Sequence, residues 1–413
     1  MTKKRVVITG LGALSPVGHN VEETWRNLVA GVTGVQLITR FDTVDLTVHI
    51  AAEIKGFKPE EHFDAKEVRK LDIYTQFAMV AAREAIKDAG IAPGNFDPDR
   101  VGVITGVGIG GILTFQEECI KNYTQGPRRI SPFFIPKMIG NIAAAHIAIE
   151  HNFKAINFNV MSACASANHA LGTALRAIQF GDADIILSGG AEAPVSPLAV
   201  GGFAAMRALS TRNDSPETAS RPFDAQRDGF VMSEGAAFLV LEELEHALAR
   251  GARIYAEFTG YGATDDAFHI TAPTEDGEGS KRAMQAAVKD AGLKPEEIDY
   301  INAHGTSTPL NDKGETLSIK SCFGDHAYKM KINSTKSMVG HMLGAAAGIE
   351  AIVCAKTIET GIIHPTMNLF NPDPECDLDY VPNKALQHEV NAALSNSLGF
   401  GGHNSAIVIT RYR

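Results

Sequence analysis

The segment AAREAIKDAGIAP (81–93) returns in near copy as AMQAAVKDAGLKP (283–295). Each copy is an Ala-rich amphipathic stretch that ends at a glycine suited to a left-handed helix C-cap. Each is followed by a proline-containing loop and then by an apolar strand, RVGVITG (100–106) or DYINAHG (299–305). The repeat therefore predicts a chain built from two related α/β halves.

A second pair of similar segments follows in the same order. GFVMSEGAAFLVLE (229–242) and GFGGHNSAIVIT (399–410) each lead from a Gly-Phe turn into an apolar strand. The predicted strands are near-continuous apolar runs, which is typical of sheets buried on both faces. Helices such as NVEETWRNLVAG (20–31), with its asparagine as N-cap, lie between them. We expect an α/β fold divided into residues 1–252 and 253–413.

Composition limits the possible partners. The 413 residues include 48 acidic and 38 basic side chains, for a formal net charge of −10. This charge disfavours binding to bulk nucleic acid or to an anionic membrane. Five cysteines without a CxxC pair argue for a reducing compartment. The N-terminus is too polar for a signal peptide, and no run approaches the roughly 18 apolar residues of a membrane span. We expect a cytoplasmic protein with no nucleic-acid or membrane partner.

One cysteine lies in a setting that suits catalysis. Cys164 is part of VMSACASANHALGTALRAI (160–178), where a strand-like run turns into a helix. A thiol at a helix N-terminus meets partial positive charge and free backbone N–H groups, which lower its pKa and make it a nucleophile. The alternative, the usual state of a free cysteine, is a small buried hydrophobe. The other four cysteines lack such surroundings and are assigned to structure.

Two histidines in Gly-rich settings match the chemistry of this thiol. His304 ends the strand in YINAHGTSTPLND (300–312), and His341 lies in a turn before a helix in STKSMVGHMLGAAAG (334–348). Catalytic groups often follow the C-terminal ends of strands, and a helix N-terminus keeps an imidazole neutral so that it can donate a hydrogen bond. Either histidine alone would fit a structural role. Together with Cys164 they indicate thioester chemistry, in which imidazoles hold a carbonyl while it becomes an enolate.

Three glycine-rich turns require separate interpretations. SLGFGGHN (397–404) offers backbone N–H groups for an oxyanion, with Phe400 as a flap, although a tight turn with a core Phe is the simpler alternative. GVGIGG (106–111) and GLGALS (10–15) resemble dinucleotide-binding turns. Neither has a clear acidic residue about 20 positions later at the end of a second strand, so we discount both. The histidine and cysteine spacings do not suggest zinc either, and we expect no cofactor and no metal.

Taken together, these strings resemble the 3-oxoacyl-[acyl-carrier-protein] synthases. They run in order from VVITGLGALSPVG (6–18) through LSTRNDSPETASRPFDAQRDGFVMSEGA (209–236) to NSLGFGGHN (396–404), so the resemblance covers essentially the whole chain. The elongating type II class of bacterial fatty acid synthesis is the most similar. The resemblance implies the thiolase fold, which is a five-layered αβαβα core made of two pseudo-duplicated halves, and it implies a homodimer.

The resemblance also implies an acyltransferase activity in fatty acid elongation. Cys164 would take an acyl chain from acyl carrier protein as a thioester, with backbone N–H groups of Cys164 and Phe400 as the oxyanion hole. His304 and His341 would bind the thioester carbonyl of malonyl-acyl carrier protein during its decarboxylation. The resulting carbanion would attack the acyl-Cys carbonyl and give a 3-oxoacyl product that is two carbons longer.

Further roles follow from the resemblance alone. Lys336, paired with Glu350, would hold the site electrostatically, and Phe400 would act as a gate. The implied substrate-binding positions are Thr306 and Thr308 for the phosphopantetheine arm, Ile109 at the base of the acyl pocket, Phe134 towards the acyl tunnel of the dimer partner, Phe203 and Gly401. The implied docking positions for the acidic carrier protein are Lys66, Arg69, Lys70, Arg128, Arg129 and Arg207.

Three positions depart from the family's usual pattern. Leu398 stands where Phe is common, Asn168 where a small residue is usual, and Met161 where a smaller or polar residue is usual. They bear on chain-length preference and on the gate. The alternative functions are a ketosynthase of polyketide or specialised lipid synthesis, a non-catalytic chain-length factor, which would lack the nucleophilic cysteine, and a nicotinamide oxidoreductase.

Overall fold

The computed structural model describes residues 3–413. The strands are β1 (Val6–Leu14), β2 (Gln36–Leu37), β3 (Ile50–Ala51), β4 (Val101–Gly106), β5 (Asn157–Val160), β6 (Ile185–Glu192), β7 (Gly235–Glu243), β8 (Ala256–Asp265), β9 (Tyr300–Asn302), β10 (Lys331–Asn333), β11 (Ile362–Ile363), β12 (Leu386–Gln387), β13 (Ala392–Gly399) and β14 (His403–Thr410). The helices are α1 (Val21–Val29), α2 (Ala65–Val68), α3 (Ile73–Asp88), α4 (Ile112–Gln125), α5 (Phe134–Met138), α6 (Ile142–His151), α7 (Ser166–Phe180), α8 (Pro197–Ala205), α9 (Leu244–Ala249), α10 (Glu278–Asp290), α11 (Pro309–Phe323), α12 (Lys336–Val339) and α13 (Ala346–Thr360).

The large sheet contains the same five-stranded arrangement twice. Its order within the described residues is β10-β9-β13-β14-β8-β1-β7-β6-β4-β5. From the outer edge inward, the strands of the N-terminal half run β5-β4-β6-β7-β1, and those of the C-terminal half run β10-β9-β13-β14-β8. Counted along the chain within each half, both orders are third, second, fourth, fifth, first. In both halves the outer three strands are parallel to one another, and the two remaining pairings are antiparallel. The predicted duplication of an α/β unit is confirmed.

The repeated sequence segments form α3 and α10, and each helix lies directly on the first strand of its half. A side-chain carbon on Gly12 of β1 would stand 2.0 Å from the carbonyl oxygen of Ala81. A side-chain carbon on Gly262 of β8 would stand 2.1 Å from the carbonyl oxygen of Ala283. Since no side chain fits in such a gap, glycine on the strand and alanine on the helix are required in both halves.

An aspartate of the repeat reinforces the same contact. Asp88 of α3 accepts the backbone N–H of Leu11 at 2.9 Å. Asp290 of α10 accepts the backbone N–H of Tyr261 at 3.1 Å. A buried backbone N–H that has no ladder partner is costly, so each carboxylate satisfies a donor of the first strand. This explains why the letters KDAG occur in both copies.

Helices α7 and α13 form a layer between the two five-stranded units. β1 and β8 join the units through only two residue pairs, Val7 with Glu257 and Ile8 with Ala256. α7 and α13 contact each other and strands of both halves, whereas α3 and α10 lie on the outer faces. The order of layers is therefore α-β-α-β-α, and the expected five-layered fold is confirmed. The boundary proposed between residues 252 and 253 falls in the connection from α9 to β8 and stays a prediction.

The N-cap of α1 agrees with the sequence prediction, whereas strand β13 was not predicted. Asn20 caps α1, where its side chain accepts the backbone N–H of Glu23 at 2.8 Å. β13 has the sequence AALSNSLG, which is too polar to be read as an apolar run, although it lies inside the sheet. Across residues 3–413, no helix combines the length and apolar character needed to cross a bilayer.

Candidate active site

A cavity of about 430 Å³ brings together the side chains on which the thioester interpretation depends. Cys164, His304 and His341 all line it. Its wall also contains Phe203, Arg207, Thr306, Thr308, Leu398 and Phe400. These residues come from both halves of the chain, so the site lies where the two five-stranded units meet.

Cys164 lies in a strained turn just before α7. The preceding residue, Ala163, has a φ of 50°, which is the left-handed region that disfavours residues with a side chain. Ser166, at the start of α7, stabilises the turn: its hydroxyl donates to the carbonyl of Ala163 at 2.7 Å and accepts the N–H of Ser162 at 2.9 Å. The turn thus presents the thiol to the cavity at the helix N-terminus.

The thiol is less acidic than the sequence suggested. Burial raises the pKa of Cys164 to about 12, and the cation of Lys336 opposes that shift. The side chain is only 9% exposed, so loss of hydration outweighs the favourable charges near it. In the free protein, burial thus opposes the lowering of the thiol pKa that is expected from the helix terminus, and the thiol holds its proton at neutral pH.

His304 is fixed from two sides. Its backbone N–H and that of Gly305 each donate to the buried carboxylate of Glu315 at 2.8 Å. Its ring nitrogen Nδ1 lies 3.3 Å from Nζ of Lys336. An ammonium group can only donate, so Nδ1 is the acceptor and Nε2 carries the hydrogen. This arrangement leaves Nε2–H as the free donor of the ring.

Both imidazoles are neutral at neutral pH. The His304 and His341 rings lie 5.4 Å apart between centroids and are almost perpendicular. Burial lowers the pKa of each ring well below its usual value, and Lys336 lowers it further in both. The neutral state was expected from the sequence, but its main cause is burial beside a cation, not a helix terminus.

Lys336 and Glu350 form an ion pair behind the histidines. Lys336 begins α12, Glu350 lies in α13, and both side chains are fully buried. Burial raises the pKa of Glu350 to about 7, and Lys336 opposes this shift. The pair brings one positive charge to His304 while its own charge is balanced, which a buried lysine requires.

The Gly-rich turn after β13 approaches the nucleophile closely. A side-chain carbon on Gly399 would stand 3.3 Å from the backbone nitrogen of Cys164, so the backbone before Phe400 runs beside that of Cys164. The Phe400 ring lies 6.4 Å from that of Phe203, and Gly401 after it has a φ of 93°. This geometry suits the predicted oxyanion hole and gate. Gly401 itself does not line the cavity.

Thr306 and Thr308 lie together on the cavity wall. Their hydroxyl oxygens are 2.9 Å apart. Ser307 between them has a φ of 69°, so this turn is strained like the one at Cys164. The guanidinium of Arg227 donates to the carbonyl of Thr308 at 3.2 Å and holds the turn from behind. Two adjacent hydroxyls suit the amide-rich phosphopantetheine arm predicted to bind there.

Ile109 and Phe134 lie outside the cavity wall. Ile109 packs against the buried apolar cluster that contains Cys164 and Phe230. Phe134 is in α5, partly buried, with its ring 6.5 Å from that of Phe115. Within the single chain, the cavity reaches the thiol from outside and does not extend to either residue. Their acyl-binding roles stay predictions.

The three departures from the family pattern lie in different environments. Leu398 lines the cavity. Asn168 is fully buried in α7, and its amide lies 3.3 Å from the carbonyl of Ser405 on β14. Met161 is 59% exposed beside the end of β5. Leu398 is therefore the one of the three that touches the reaction space directly.

The six predicted docking cations are all exposed. None of Lys66, Arg69, Lys70, Arg128, Arg129 and Arg207 has a salt-bridge partner among residues 3–413. Nζ of Lys70 lies 6.0 Å from the ring centroid of Phe133, which brings α2 next to the segment that follows Arg129. Arg207 lines the cavity. Unpaired cations on a protein of net charge −10 form a local exception that suits an acidic partner.

The sequence did not indicate the roles of two buried carboxylates, those of Glu315 and Glu192. Glu315 accepts the N–H groups of the His304 turn, as described above. Glu192 accepts the N–H groups of Ile109 and Gly110 at 3.0 and 3.1 Å. For each residue, the only sign in the sequence is an acidic side chain inside an apolar strand or a helix. The backbone groups that it binds are too far away in the sequence to form a recognisable motif.

Glu192 also rules out the dinucleotide interpretation of GVGIGG. The N–H groups that would hold a pyrophosphate are already donated to its carboxylate. The other glycine-rich string, GLGALS, continues β1 to Leu14 and makes no turn into a helix. Both observations argue against the nicotinamide alternative.

Comparisons with known proteins agree with this geometry. The family model described as beta-ketoacyl synthase, N-terminal domain, matches residues 3–247, and the one described as beta-ketoacyl synthase, C-terminal domain, matches residues 255–370. A 3-oxoacyl-[acyl-carrier-protein] synthase 2 of Staphylococcus aureus is 52% identical over 409 residues, covering 99% of both chains. The Coxiella burnetii protein of the same name is 50% identical and covers 100% of this chain and 99% of its own.

A solved structure is similar over the whole length. It shows a type II polyketide ketosynthase, bound to a hexaketide, in complex with its acyl-carrier protein. It is 37% identical to this chain, covers 100% of both chains, and superimposes with a TM-score of 0.91.

Proposed function

The chain belongs to the beta-ketoacyl synthase family, and we propose that it condenses acyl groups with malonyl-acyl carrier protein in fatty acid elongation. The observation that carries the proposal is the cavity in which the Cys164 thiol meets two neutral imidazoles. A thiol accepts the acyl chain, and the imidazole donors stabilise an enolate. The presence of the nucleophile argues against a non-catalytic chain-length factor.

In the first half-reaction, the thiol of Cys164 attacks the acyl thioester carbonyl. The thiol is protonated at neutral pH, so its proton must leave during the attack. The neutral ring of His341, whose Nδ1 has no partner among residues 3–413, is available to take this proton and to pass it to the departing sulfur of the carrier. The N–H groups of Cys164 and Phe400 hold the oxyanion that forms. The carrier leaves as a free thiol, and the acyl chain stays on Cys164.

In the second half-reaction, the malonyl thioester loses carbon dioxide. The electron pair of the broken C–C bond moves to the thioester carbonyl, and Nε2–H of His304 donates to the resulting enolate oxygen together with His341. Lys336 keeps the hydrogen of His304 on Nε2. The enolate carbon then attacks the acyl-Cys carbonyl, and the Cys164 thiolate leaves as the 3-oxoacyl product forms.

Polyketide condensation is the second candidate, because it uses the same catalytic groups. A type II polyketide ketosynthase is 37% identical to this chain, whereas the relatives named synthase 2 are 50% and 52% identical. The higher identity favours fatty acid elongation. Loading of saturated acyl carriers from four to eighteen carbons, compared with a poly-3-oxoacyl carrier, separates the two readings.

We propose acyl carrier protein as the partner that delivers both substrates. The related ketosynthase structure contains an acyl-carrier protein. The unpaired cations around α2, Arg128 and Arg207 supply the charge that an acidic carrier needs. Reversal of charge at Arg207 and Arg128 should raise KM for the carrier substrate by about tenfold and weaken its salt dependence. The same change at exposed Lys384 is the control.

A homodimer remains part of the proposal. β5 is the last strand of the sheet, so one of its edges lacks a partner strand in the described chain. Exposed apolar side chains, Met161 and Ile149, lie beside it. An open edge flanked by apolar surface favours pairing with a second copy. Sedimentation of the purified protein tests this. The cytoplasmic location and the lack of a cofactor or metal stay predictions.

The decisive experiment is mass spectrometry of the protein after incubation with acyl carrier protein. We expect the acyl mass on Cys164 and condensation with malonyl-acyl carrier protein. Cys164→Ala should lose both, by more than about a thousandfold, while Cys119→Ala, which removes an exposed cysteine, changes neither. Acylation at another residue, or condensation by Cys164→Ala, would refute the assignment.

A further inference from the structure

The loop that follows the second strand has the same kind of anchor in both halves. After β9, Glu315 accepts the N–H groups of His304 and Gly305, as shown above. After β4, Glu192 accepts the N–H groups of Ile109 and Gly110. In each half, one buried carboxylate takes two consecutive backbone donors. In the C-terminal half the anchored loop carries the catalytic His304. In the N-terminal half it carries Ile109, which packs in the apolar cluster that includes Cys164.

Glu192 is the last residue of β6 and is fully buried. Both N–H groups donate to its Oε1. Its other oxygen, Oε2, faces the backbone of Gly108. The backbone N–H groups of Gly108 and Gly344 also stabilise the charged carboxylate. The carboxylate is therefore held by the loop and by Gly344, and the loop has no alternative acceptor of similar strength.

The anchored loop is wedged between the two segments that supply the catalytic groups. A side-chain carbon on Gly108 would stand 3.2 Å from the carbonyl oxygen of Ala163, next to the nucleophile. It would also stand 3.3 Å from Cα of Gly344, which follows the His341 turn. Ile109 packs in the apolar cluster that includes Cys164. A shift of the loop would therefore move the apolar surface that an acyl chain on the thiol must contact.

We propose that Glu192 is a positioning residue for acyl-chain selectivity, because it holds Ile109 in a fixed place beside Cys164. This inference rests on the proposed function of the same site. Glu192 touches neither the thiol nor the substrate and acts through the Gly108–Gly110 loop. With the anchor intact, the apolar surface near the thiol has one shape and accepts a narrow range of chains. Without it, the loop adapts to chains of different length.

The charge of Glu192 gives the proposal a second readout. Burial raises the pKa of Glu192 to about 7, and the N–H groups of the loop oppose this shift. The carboxylate in turn raises the pKa of the Cys164 thiol. Three other titratable groups lie nearby. The charge of Glu192 also raises the pKa of Tyr74 in α3. Lys336 lowers the pKa of Cys164, and Glu350 raises it. The anchor is thus electrically coupled to the nucleophile.

The anchor is tested with Glu192→Ala against Glu84→Ala, which remove the acceptor oxygens. The charge is tested with Glu192→Gln against Glu84→Gln, which keep an acceptor oxygen and remove the charge. Glu84 is a matched control, because it accepts the backbone N–H groups of Ala13 and Val21 and burial also raises its pKa to about 7, but it lies outside the cavity wall. Loading rates of Cys164 are measured with saturated acyl carriers from four to eighteen carbons.

We expect Glu192→Ala to flatten the chain-length profile, so that the ratio of best to worst substrate falls by about threefold or more. Glu84→Ala should keep the wild-type profile. An unchanged profile in Glu192→Ala, with normal loading by the wild type, would overturn the inference and leave the proposed function intact. Failure of the wild type to load any chain would instead refute the proposed function.

Alkylation of Cys164 by iodoacetamide provides the readout that a purely structural role would not move. Removal of a negative charge favours the thiolate, so Glu192→Gln should react about fivefold faster than the wild type above pH 8. Below about pH 6 the wild-type carboxyl is protonated, and the two rates should converge. Equal rates at all pH values would contradict the coupling, as would a similar acceleration in Glu84→Gln.

Discussion

The two halves of the molecule share a scaffold and divide the chemistry. Both have five strands in the same order, a glycine-on-alanine contact between first strand and outer helix, and a central helix that begins just after a catalytic side chain. The N-terminal half places Cys164 before α7, and the C-terminal half places His341 before α13. Ala163, just before Cys164, and Leu343, two residues after His341, both have a φ near 50°.

The difference lies in the polarity behind each site. The C-terminal half places a buried ion pair and two histidines at its loops, which suits the stabilisation of an enolate oxygen. The N-terminal half supplies a thiol in apolar surroundings and one anchored loop, which suits an acyl chain. The scaffold thus sets the place of the loops, whereas the side chains on them set what each half supplies, which is the nucleophile with an apolar surface in one half and the donors for the enolate in the other.

His304→Ala should separate the two half-reactions and has the largest expected effect. Removal of one enolate donor should slow decarboxylation of malonyl-acyl carrier protein by about a thousandfold. Acyl transfer to Cys164 should fall by less than about tenfold, because its oxyanion donors are backbone groups. Carbon dioxide release and the acyl mass on the protein measure the two steps. Equal losses in both would break the proposed division between the halves.

Lys336→Met tests the dependence of the C-terminal half on its ion pair. The variant leaves the Glu350 carboxylate buried without a cation, which should lower the free energy of unfolding by about 3 kcal/mol. The double variant Lys336→Met with Glu350→Gln removes both charges and should recover most of the loss. Urea unfolding measures it. A double variant no more stable than the single one would show that the pair contributes by packing alone.

Gly12→Ala and Gly262→Ala sharpen the claim that the scaffold is duplicated. Each substitution places a methyl group about 2 Å from a helix carbonyl oxygen, so both should lower the free energy of unfolding by about 2 kcal/mol or more. Gly202→Ala is the control, because an added carbon there meets nothing within 4 Å. Thermal unfolding measures the loss. If only one of the two variants lost stability, the two halves would not be structurally equivalent at this contact.

Acid should act most strongly through the C-terminal half, although burial also lowers the pKa values of four less buried histidines in the N-terminal half, His62, His146, His151 and His169. Among the described residues, the histidines buried below the surface are His304, His341 and His364, all in that half. Burial lowers their pKa values, that of His364 to about 4. On these histidines the unfolded chain takes up protons below about pH 6.5 that the folded chain does not bind, so their contribution to stability is full above this pH and falls as pH drops towards about 4. The carboxyl groups of Glu84, Glu192 and Glu350, whose pKa values burial raises to about 7, contribute with the opposite sign.

Each such histidine contributes up to about 1.4 kcal/mol of lost stability per pH unit in that window. Urea titrations at several pH values give the slope. His364→Gln should reduce the slope whatever its effect on stability at neutral pH, because one proton-binding group disappears from the unfolded chain. An unchanged slope would mean that His364 is charged when folded.

The fold and the reacting groups could be predicted from the sequence because short, continuous segments of the chain indicate them. The KDAG repeats, at 81–93 and 283–295, predicted two halves, since Ala, Asp and Gly meet fixed needs of a helix that contacts a strand. β13 was missed, because its alternation of Ser and Asn with small residues does not look apolar. Tertiary packing overrides a weak strand preference there.

The supporting part of the site could not be predicted. Glu192 and Glu315 bind backbone N–H groups that lie 83 and 11 residues away, and such pairing leaves no periodic pattern. The positive φ of Ala163 is imposed by its neighbours, not by its residue type. The thiol pKa of Cys164 depends on burial, which only the assembled cavity determines.

The pairing of β1 with β7 has a consequence for biosynthesis. Val6 pairs with Glu243, and α7 is covered on its second face by elements of the C-terminal half, namely α13, β8, β13 and β14, the last of which ends at Thr410. A nascent chain therefore exposes an unpaired strand edge until β7 has left the ribosome, and an incompletely covered apolar helix until β14 has left it. Such long-range closure makes folding slow and largely post-translational, and ribosome-bound intermediates are candidates for chaperone binding.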